Sequence, residues 1–220
     1  MIKVYFANIE LLEKKEGFSY WFDAMHPMRK EKVLRCKQEI DKNRSLLAGV
    51  LLKIALEKEG LDYETLEFAL EEHGRPVLKN IENLYFSLSH AGNYALCCIS
   101  NQPVGADMES KEKAIFKEEK AERMHTMAKK VLSENEYEEF LRCDETQKAC
   151  LFLQYWTRKE SYSKAMGEGL RMDFLSIDTE RMEDAFWSDW LEKDCFASIY
   201  TSQEAGREIE FHRIVDLMNV

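Results

Sequence analysis

The sequence has no long apolar run and no excess of positive charge, and these two absences exclude two classes of partner. No hydrophobic stretch approaches the roughly 20 residues that a membrane-spanning helix needs. The formal net charge is -10, whereas general nucleic-acid binding needs positive charge that displaces counterions from the phosphates. We therefore expect neither a membrane nor a nucleic acid as a partner.

The motifs of several large enzyme and metal-binding classes are also missing. The six cysteines show no metal-ligand spacing, and Cys97-Cys98 lie adjacent in an apolar stretch, which is typical of reduced, packed thiols. The glycines form neither a P-loop nor a dinucleotide-binding fingerprint, and the Gly-x-Ser-x-Gly elbow of hydrolases is absent. Residues 1–7 resemble a strand and lack the features of a signal peptide, and so we expect a cytoplasmic protein.

The composition and the order of the local patterns predict a folded protein of two similar parts. Of the 220 residues, 45% are hydrophobic and 33% are charged, which is typical of globular proteins. A strand, helices and then strands are predicted before residue 110, and the same order follows after it. This repetition indicates an α+β fold with two halves, residues 1–103 and 104–220. No proline-rich linker separates the halves, and we expect them to pack closely in a monomer.

Polar residues and glycines at characteristic positions predict where three helices begin or end. Asp41 can cap the start of a long helix with an apolar stripe, and Gly60 is expected to end it. Ser133 and Glu136, three residues apart, predict the capping box of another helix. Gly167 follows a third helix at the position where a left-handed cap is most common.

Alternating and β-rich stretches predict the strands. Two of them, at residues 85–90 and 94–99, flank a turn, and another is expected at residues 104–109. The tail contains strand-like stretches at residues 196–200 and 209–215.

The most informative stretch is the helix that precedes Gly167. Phe152, Trp156, Glu160 and Lys164 are four residues apart and therefore share one face of this helix. The face begins apolar and ends with a carboxylate and an ammonium group, roughly 6 Å apart along the helix axis. The alternative is an ordinary buried helix whose Glu160 and Lys164 form a surface pair worth only about 0.3–0.5 kcal/mol.

A second carboxylate pair lies upstream, in the strand predicted at residues 104–109. Asp107 and Glu109 point to the same side of this strand, with Cα atoms about 6.5–7 Å apart. Together with Glu160 they would supply three oxygen donors, which suits a Mg²⁺ ion that keeps some waters and shares itself with substrate phosphates. The alternative is an edge strand whose acidic side chains face solvent.

Basic residues offer a matching site for an anion. Arg29, Lys32, Lys42 and Arg44 could meet on neighbouring helices, although solvated helix faces produce the same pattern. His90 follows a strand beside a turn, which suits either a phosphate contact or a structural histidine.

Four short motifs occur together in the order and spacing that one enzyme family shows. They are Gly74-Arg75-Pro76, Phe86-Ser87-Leu88-Ser89-His90-Ala91-Gly92, Pro103-Val104-Gly105-Ala106-Asp107-Met108-Glu109 and Trp156-Thr157-Arg158-Lys159-Glu160-Ser161-x-x-Lys164. The chain from about residue 27 to residue 170 thereby resembles the 4′-phosphopantetheinyl transferases. Its size and doubled architecture are similar to the Sfp-type (surfactin-synthetase-activating) branch. Ser87 departs from the pattern, because the family often has Asn there.

The resemblance implies a fold of two halves related by pseudo-two-fold symmetry and a specific reaction. Such enzymes transfer the 4′-phosphopantetheine arm of coenzyme A to a serine of an acyl or peptidyl carrier protein and release 3′,5′-ADP. The half at residues 1–103 would contact the 3′-phosphate and the adenine of coenzyme A. The half at residues 104–220 would carry the metal site and dock the carrier protein.

The resemblance also assigns roles to individual residues. Mg²⁺ would be held by Asp107, Glu109 and Glu160. Glu160 is the candidate general base, directly or through a metal-bound water, and Lys164 would neutralise the transferred phosphate, assisted by Lys159. The remaining coenzyme A contacts would be Arg29, Lys32, Arg44 and His90 at the 3′-phosphate, and Arg75 and Ser89 beside the adenine.

The docking surface and the alternatives complete the interpretation. The segment from Met124 to Leu132 combines methionines and lysines and is the candidate docking surface, unless it packs on the core. Two other functions stay open: a Mg²⁺-dependent phosphodiesterase or nuclease that uses the same carboxylates, and a non-catalytic protein that binds coenzyme A or a carrier protein. The acidic net charge disfavours the nuclease, and the intact set of acidic residues disfavours the pure binder.

Overall fold

The first half of the molecule places helices on one face of a small sheet. The structure is a computed structural model, which describes residues 1–13, 17–112, 121–202 and 208–217. The first half contains the strands β1 (Ile2–Asn8), β2 (Phe68–Leu70), β3 (Pro76–Leu78), β4 (Tyr85–Ala91) and β5 (Tyr94–Ser100), and the helices α1 (Gly17–Asp23), α2 (Pro27–Leu34) and α3 (Glu39–Lys58).

The second half repeats this order of elements. It contains the strands β6 (Val104–Ser110), β7 (Phe186–Glu192), β8 (Cys195–Thr201) and β9 (Ile209–Arg213), and the helices α4 (Ala121–Val131), α5 (Glu134–Arg142) and α6 (Glu145–Met166). In each half, a long helix precedes an antiparallel hairpin, and the second strand of the hairpin pairs with the strand that opens the half. The prediction of a two-half α+β fold is therefore confirmed.

The two main sheets have matching strand orders except at one edge. The first sheet has the order β4-β5-β1-β9, and the second has the order β6-β8-β7. The extra strand β9 pairs in parallel with β1, with Ile2 opposite Ile209 and Phe6 opposite Arg213. Strand β9 lies within the predicted second half, residues 104–220, and completes the sheet of the first half.

Alternation along the strands builds three packed layers of apolar side chains. Residues such as Val4, Leu96 and Cys98 face the second sheet, where Ala106 and Ile199 meet them in one buried cluster. The opposite face of the first sheet packs on α3, and α6 covers the outer face of the second sheet. The polar residues of β6 thus lie beneath α6, at the junction of the two halves.

Helix α3 is almost apolar in its central turns and is buried along Leu46–Leu56, which explains its length. It begins earlier than predicted. Gln38, not Asp41, occupies the N-cap position, without a side-chain hydrogen bond. Asp41 lies inside the first turn and forms an ion pair with Arg44 at 3.0 Å. Gly60 follows the helix with φ of +79°, as a terminating glycine does.

Other local predictions are confirmed. Ser133 and Glu136 form the reciprocal capping box of α5. Gly167 ends α6 in the left-handed conformation with φ of 78°. The hairpin of β4 and β5 turns at Gly92 and Asn93, as expected.

The candidate docking helix packs mainly on the core. Met124, Ala128 and Leu132 are buried in one cluster with Phe140 and Phe152. Thr126, Lys129 and Lys130 are exposed, so that the surface of the segment is mainly polar and basic.

All six cysteines are free thiols, and three of them, Cys97, Cys98 and Cys195, are buried. Burial raises the pKa of the Cys195 thiol to about 12, which favours the unreactive protonated form. Among the helices in the described ranges, none combines the length and the apolar character that crossing a bilayer requires.

Candidate active site

Two serines of β4 join the edges of the two sheets. Ser87 Oγ accepts a hydrogen bond from the backbone N–H of Ala106 at 2.9 Å, and Ser89 Oγ accepts one from Met108 N–H at 3.1 Å. Both serines are buried and lie on the same side of β4 because their positions differ by two. They supply acceptors that a neighbouring strand would otherwise provide, and they fix β6 against the first half.

Gly105 allows α6 to approach β6 closely. A Cβ atom at this position would lie 1.8 Å from the carbonyl oxygen of Ser161 and 2.6 Å from the backbone nitrogen of Ala165. Thr157, one turn before Ser161, has its Oγ1 2.7 Å from Ser198 Oγ on β8, and Ser198 is the strand partner of Asp107. The helix therefore lies directly over the acidic part of β6.

The contact between these two elements creates a buried charged cluster. Lys164 Nζ donates to Asp107 Oδ1 at 2.7 Å and to Ser89 Oγ at 3.2 Å. Ser89 Oγ in turn donates to the same Asp107 oxygen at 2.9 Å. The backbone carbonyl oxygen of Ala106 accepts from Lys164 at 3.1 Å. The cluster draws residues from β4, β6 and α6, and so it depends on both halves.

The second oxygen of Asp107 fits a bound cation. Asp107 is only 6% exposed, and its Oδ2 atom is buried without a hydrogen-bond partner among the described residues. A buried carboxylate oxygen without a partner is costly, and a divalent cation satisfies such an atom well. Glu109 lines the same cavity as Asp107, as two residues of a strand separated by one do.

Glu160 lies on α6, the helix that covers β6. It lies between Thr157 and Ser161, which both contact the second sheet, and one turn before Lys164. It is half-buried, and its Oε1 atom is inaccessible to solvent. The three predicted metal ligands do not form a preassembled cluster, however. Among the described residues, no group of three or more His, Cys, Asp or Glu side chains is placed to hold a metal ion.

A cavity of about 290 Å³ opens onto the cluster and contains most of the predicted site residues. It is lined by Arg29, Lys32, Ala48, Leu88, Ser89, His90, Asp107, Met108, Glu109 and Lys164. Basic side chains from the first half thus face carboxylates from the second half across one space. Such a distribution of charge suits a ligand that carries several phosphates together with a cation.

Arg29 is the most unusual of the cations. It is 4% exposed, donates from Nη2 to the Ser45 carbonyl oxygen at 2.7 Å, and has a buried Nε atom without a partner. It forms no ion pair with any carboxylate in the described part of the chain. Gly49 makes room for it, because a Cβ atom there would be 3.2 Å from Arg29 Nε. A buried guanidinium that lacks an acid is well suited to bind an anion.

His90 sits at the rim of the same cavity and is exposed. Nearby protein atoms displace part of the water around the ring, and this desolvation is the largest cause that lowers the pKa of His90 to about 4. The positive charges of Lys32, Lys164 and Arg44 lower the pKa further. The pKa of Lys32 is lowered as well, first by desolvation and then by Arg29 and Lys164. The lowered pKa values of His90 and Lys32 show that positively charged groups crowd this side of the cavity. Arg44 also holds the hairpin turn, since its Nε donates to the Gly92 carbonyl oxygen at 2.5 Å.

A second cavity, of about 190 Å³, adjoins the first and shares Lys32, Leu88 and Lys164 with it. Its other walls include Arg75 and Phe86. Arg75 Nη1 donates to the Ala165 carbonyl oxygen at 2.7 Å and thereby ties the first half to the last turn of α6. The cleft as a whole runs along the junction of the halves.

Lys159 is placed elsewhere, and its predicted contact with coenzyme A is not supported. Its side chain is 0% exposed and forms an ion pair with Glu136 at 2.7 Å. The ammonium also donates to the carbonyl oxygens of Phe174 and Ile177. The side chain is therefore enclosed by protein and lines neither cavity of the cleft.

Sequence reasoning assigned no role to three residues that shape the site, Ser87, Gly49 and Gly105. Ser87 and Gly105 lie in the family motifs, but their contacts with distant elements are not visible in the sequence. The alternation Ser87-Leu88-Ser89 was the one available signal, because it places both hydroxyl groups on one side of the strand. The close approaches at Gly49 and Gly105 depend on elements far away in the sequence.

Comparison with known proteins agrees with this architecture. A family model described as "4′-phosphopantetheinyl transferase, N-terminal" matches residues 13–102, and one described as "4′-phosphopantetheinyl transferase superfamily" matches residues 103–207. The chain is 28% identical over 184 residues to the 4′-phosphopantetheinyl transferase Sfp of Bacillus subtilis (strain 168), covering 83% of this chain and 78% of that protein. It is 26% identical over 190 residues to the 4′-phosphopantetheinyl transferase gsp of Aneurinibacillus migulanus, covering 86% and 72%. The L-aminoadipate-semialdehyde dehydrogenase-phosphopantetheinyl transferase of Saccharomyces cerevisiae is 32% identical over 126 residues, covering 54% and 44%.

The fold and the site define a two-half α+β protein with a cation-rich cleft for a phosphate-bearing ligand at the junction of its halves. The chain belongs to the 4′-phosphopantetheinyl transferase superfamily, and within it to the Sfp type. The boundary between the two matching family models, at residues 102 and 103, coincides with the start of β6.

Proposed function

We propose that the protein transfers the 4′-phosphopantetheine arm of coenzyme A to a serine hydroxyl of an acyl or peptidyl carrier protein. The serine oxygen forms a bond to the β-phosphorus of coenzyme A, the diphosphate bond breaks, and 3′,5′-ADP leaves. The observation that carries the proposal is the cluster of Asp107, Lys164 and Ser89 in a cavity that Arg29 and Lys32 make positive. The membership of the family supports the same reaction.

The first half of the chain would hold the nucleotide end of coenzyme A. Arg29, Lys32 and His90 line the larger cavity, Arg44 adds to the positive charge around His90, and these four residues would surround the 3′-phosphate. The adenine would occupy the smaller cavity, between Arg75 and Phe86. Ser89 lines the larger cavity instead and directs its hydroxyl group to Asp107, so that we assign it to the positioning of the carboxylate and not to the adenine.

Mg²⁺ is the proposed cofactor, and Asp107, Glu109 and Glu160 are its proposed ligands. The free Oδ2 atom of Asp107 fits this role, as does the presence of Glu109 in the same cavity. The bound ion would supply positive charge against the diphosphate, which lowers the barrier to attack on an anionic phosphorus. Glu160 would have to rotate toward the cavity to join the other two carboxylates.

The remaining groups act on the reacting atoms. Lys164 lies 2.7 Å from Asp107 with a partly exposed ammonium group, and it would neutralise the phosphate that is transferred. Glu160, one turn earlier on α6, would accept the proton of the carrier serine. The cleft between the halves aligns the diphosphate with the incoming hydroxyl group, and alignment supplies much of the rate in such reactions.

A transfer assay tests the proposal. The protein is incubated with coenzyme A, Mg²⁺ and purified apo acyl or peptidyl carrier proteins, and the carrier is weighed by mass spectrometry. We expect the carrier to gain one phosphopantetheine group. Binding of coenzyme A without transfer to any carrier would instead indicate a non-catalytic binding protein, and cleavage of a nucleic acid under the same conditions would indicate the phosphodiesterase alternative.

A further inference from the structure

A fully buried ion pair lies behind the catalytic face of α6. Lys159 and Glu136 are both 0% exposed, and their charged atoms are 2.7 Å apart. The pair joins α6 to α5 and to the segment at residues 174–179, which Lys159 reaches through the carbonyl oxygens of Phe174 and Ile177. Both charges are far from the cavity side of the helix, and neither takes part in the proposed chemistry.

Every hydrogen-bonding atom of this pair is used. Glu136 Oε1 accepts from the backbone N–H and the hydroxyl group of Thr179, at 2.9 Å and 2.7 Å. Glu136 Oε2 accepts from Ser133 N–H at 2.8 Å and from Lys159. A buried ion pair adds little stability over apolar residues of the same size. The complete hydrogen bonding of Lys159 and Glu136 is therefore better explained by a need to hold α6 in one defined orientation.

The geometry of α6 shows what this orientation controls. Successive residues of an α-helix are rotated by about 100°, so that Ser161 projects about 200° from Lys159, on nearly the opposite side. Ser161 rests against Gly105 of β6. The helix is thus held on two opposite sides, and Glu160 and Lys164 lie between them, about 100° and 140° from Lys159.

We propose that the Lys159–Glu136 pair is a positioning device that fixes the rotation of α6 about its axis and thereby aims Glu160 and Lys164 at the cleft. The proposal rests on the transferase function proposed above. It assigns to Lys159 a role that acts through its neighbours and requires no contact with substrate. Removing the pair should therefore impair the chemical step while leaving the binding of coenzyme A to the first half nearly intact.

The central test is the double variant Lys159→Met/Glu136→Gln, which removes both charges and leaves no buried ion without a partner. At a temperature where circular dichroism shows it to be folded, we expect kcat for transfer to fall at least about 10-fold, since small misplacements of catalytic groups are costly. The KM for coenzyme A should stay within about threefold of wild type, since Arg29 and Lys32 are unchanged. A folded double variant with wild-type kcat would overturn the proposal.

The matched control is Lys148→Met on the same helix. Lys148 is also buried and paired, with Glu145, but it lies 16 residues before Lys164, about 24 Å along the helix. We expect its kcat to stay near wild type, and an equal loss of kcat in this control would also overturn the proposal. If the double variant does not fold, Thr179→Val takes its place, because it removes one donor from Glu136 and keeps both charges.

A further measurement separates this inference from the proposed function. If wild-type protein transfers nothing to any carrier, the proposed function fails, and hydrogen exchange of the backbone amides at residues 157–166 then decides on the positioning. Faster exchange in the double variant than in Lys148→Met would support a helix held by the pair. Equal exchange rates in the two variants would overturn the inference.

Discussion

Gly105 of β6 and Ser161 of α6 touch backbone to backbone, since a Cβ atom at position 105 would lie 1.8 Å from the Ser161 carbonyl oxygen. This contact brings Lys164 within 2.7 Å of Asp107. The close approach of β6 and α6 at these two residues therefore sets the geometry of the charged cluster.

The first prediction concerns this contact. Gly105→Ala should push α6 away from β6, lower the free energy of unfolding by about 1–3 kcal/mol and reduce transfer per folded molecule, because Lys164 is moved from Asp107. Urea denaturation and a transfer assay measure the two effects. Gly60→Ala is the control: its Cβ atom meets nothing within 4 Å, and it should lose only the roughly 1–2 kcal/mol of a left-handed alanine with unchanged activity. Equal activity of the two variants would contradict the prediction.

The second prediction concerns Asp107. Asp107→Asn keeps an acceptor for Ser89 but removes the charge that the proposed metal and Lys164 both need. We expect the transfer rate to fall by about 10²–10³-fold and the variant to require more Mg²⁺, while the thermal midpoint changes little. Rates measured over a series of Mg²⁺ concentrations check this. Asp189→Asn, an exposed change on β7, serves as the control, and a rate for Asp107→Asn equal to that of the control would exclude the assignment.

The third prediction concerns the charge of His90. Its pKa in the folded protein, about 4, lies below the ordinary value of 6.5, so that the unfolded chain binds the proton more tightly. The free energy of unfolding therefore falls as the pH drops from about 6.5 toward 4, because the unfolded chain takes up the proton first. Above about pH 6.5 His90 is neutral in both states, and this loss of stability is absent.

An NMR titration of the His90 ring protons tests this directly. We expect a midpoint near pH 4 for the protein without ligand. Addition of 3′,5′-ADP should raise the midpoint, because a phosphate group offsets the charges of Lys32, Lys164 and Arg44. A midpoint near 6.5 without ligand, or no change on addition of 3′,5′-ADP, would count against the anion site.

The fourth prediction separates binding from stability at Arg29. Arg29→Met removes a buried cation that lacks an acidic partner, and so the thermal midpoint should stay the same or rise. The KM for coenzyme A should increase about 10- to 100-fold, as expected for the loss of a charge-assisted hydrogen bond. With 3′-dephospho-coenzyme A the variant and wild type should be alike.

Arg35→Met is the matched control for this change, because Arg35 follows the same helix and is exposed in a surface pair with Glu31. It should leave both KM values unchanged. If the ratio of the KM values for 3′-dephospho-coenzyme A and coenzyme A were the same in Arg29→Met as in wild type, Arg29 would not be a contact of the 3′-phosphate.

The parts of the fold that local chemistry determines could be predicted from the sequence. The capping box of Ser133 and Glu136 and the left-handed cap at Gly167 depend on residues within one or two turns. The hairpin at residues 85–100 likewise depends on alternation and a short turn. In each case the interacting groups are neighbours in the chain, and so the pattern carries the structure.

The parts that long-range packing determines could not be predicted. Strand β7 was missed because Ser188 and Asp189 interrupt its apolar residues, and its pairing with β8 shifts register at Trp190. Lys159 was interpreted as a ligand contact because it adjoins Glu160 in a motif. Its burial depends on Glu136, which lies on another helix. A sequence shows which residues share a helix, but not which face of it a distant segment covers.

The parallel pairing of β9 with β1 has a consequence for dissecting the molecule. The backbone N–H of Ile2 donates to the carbonyl oxygen of Glu208, and the N–H of Ile214 donates to the carbonyl oxygen of Phe6, both at 2.9 Å. Residues 208–214 are thus hydrogen-bonded to strand β1. If the protein were divided between residues 103 and 104, strand β1 of the N-terminal fragment would lose its partner β9. An unpaired edge strand of this kind promotes self-association. Reconstitution from two fragments is therefore expected to succeed only when the segment at residues 208–214 is supplied to the N-terminal piece, in cis or in trans.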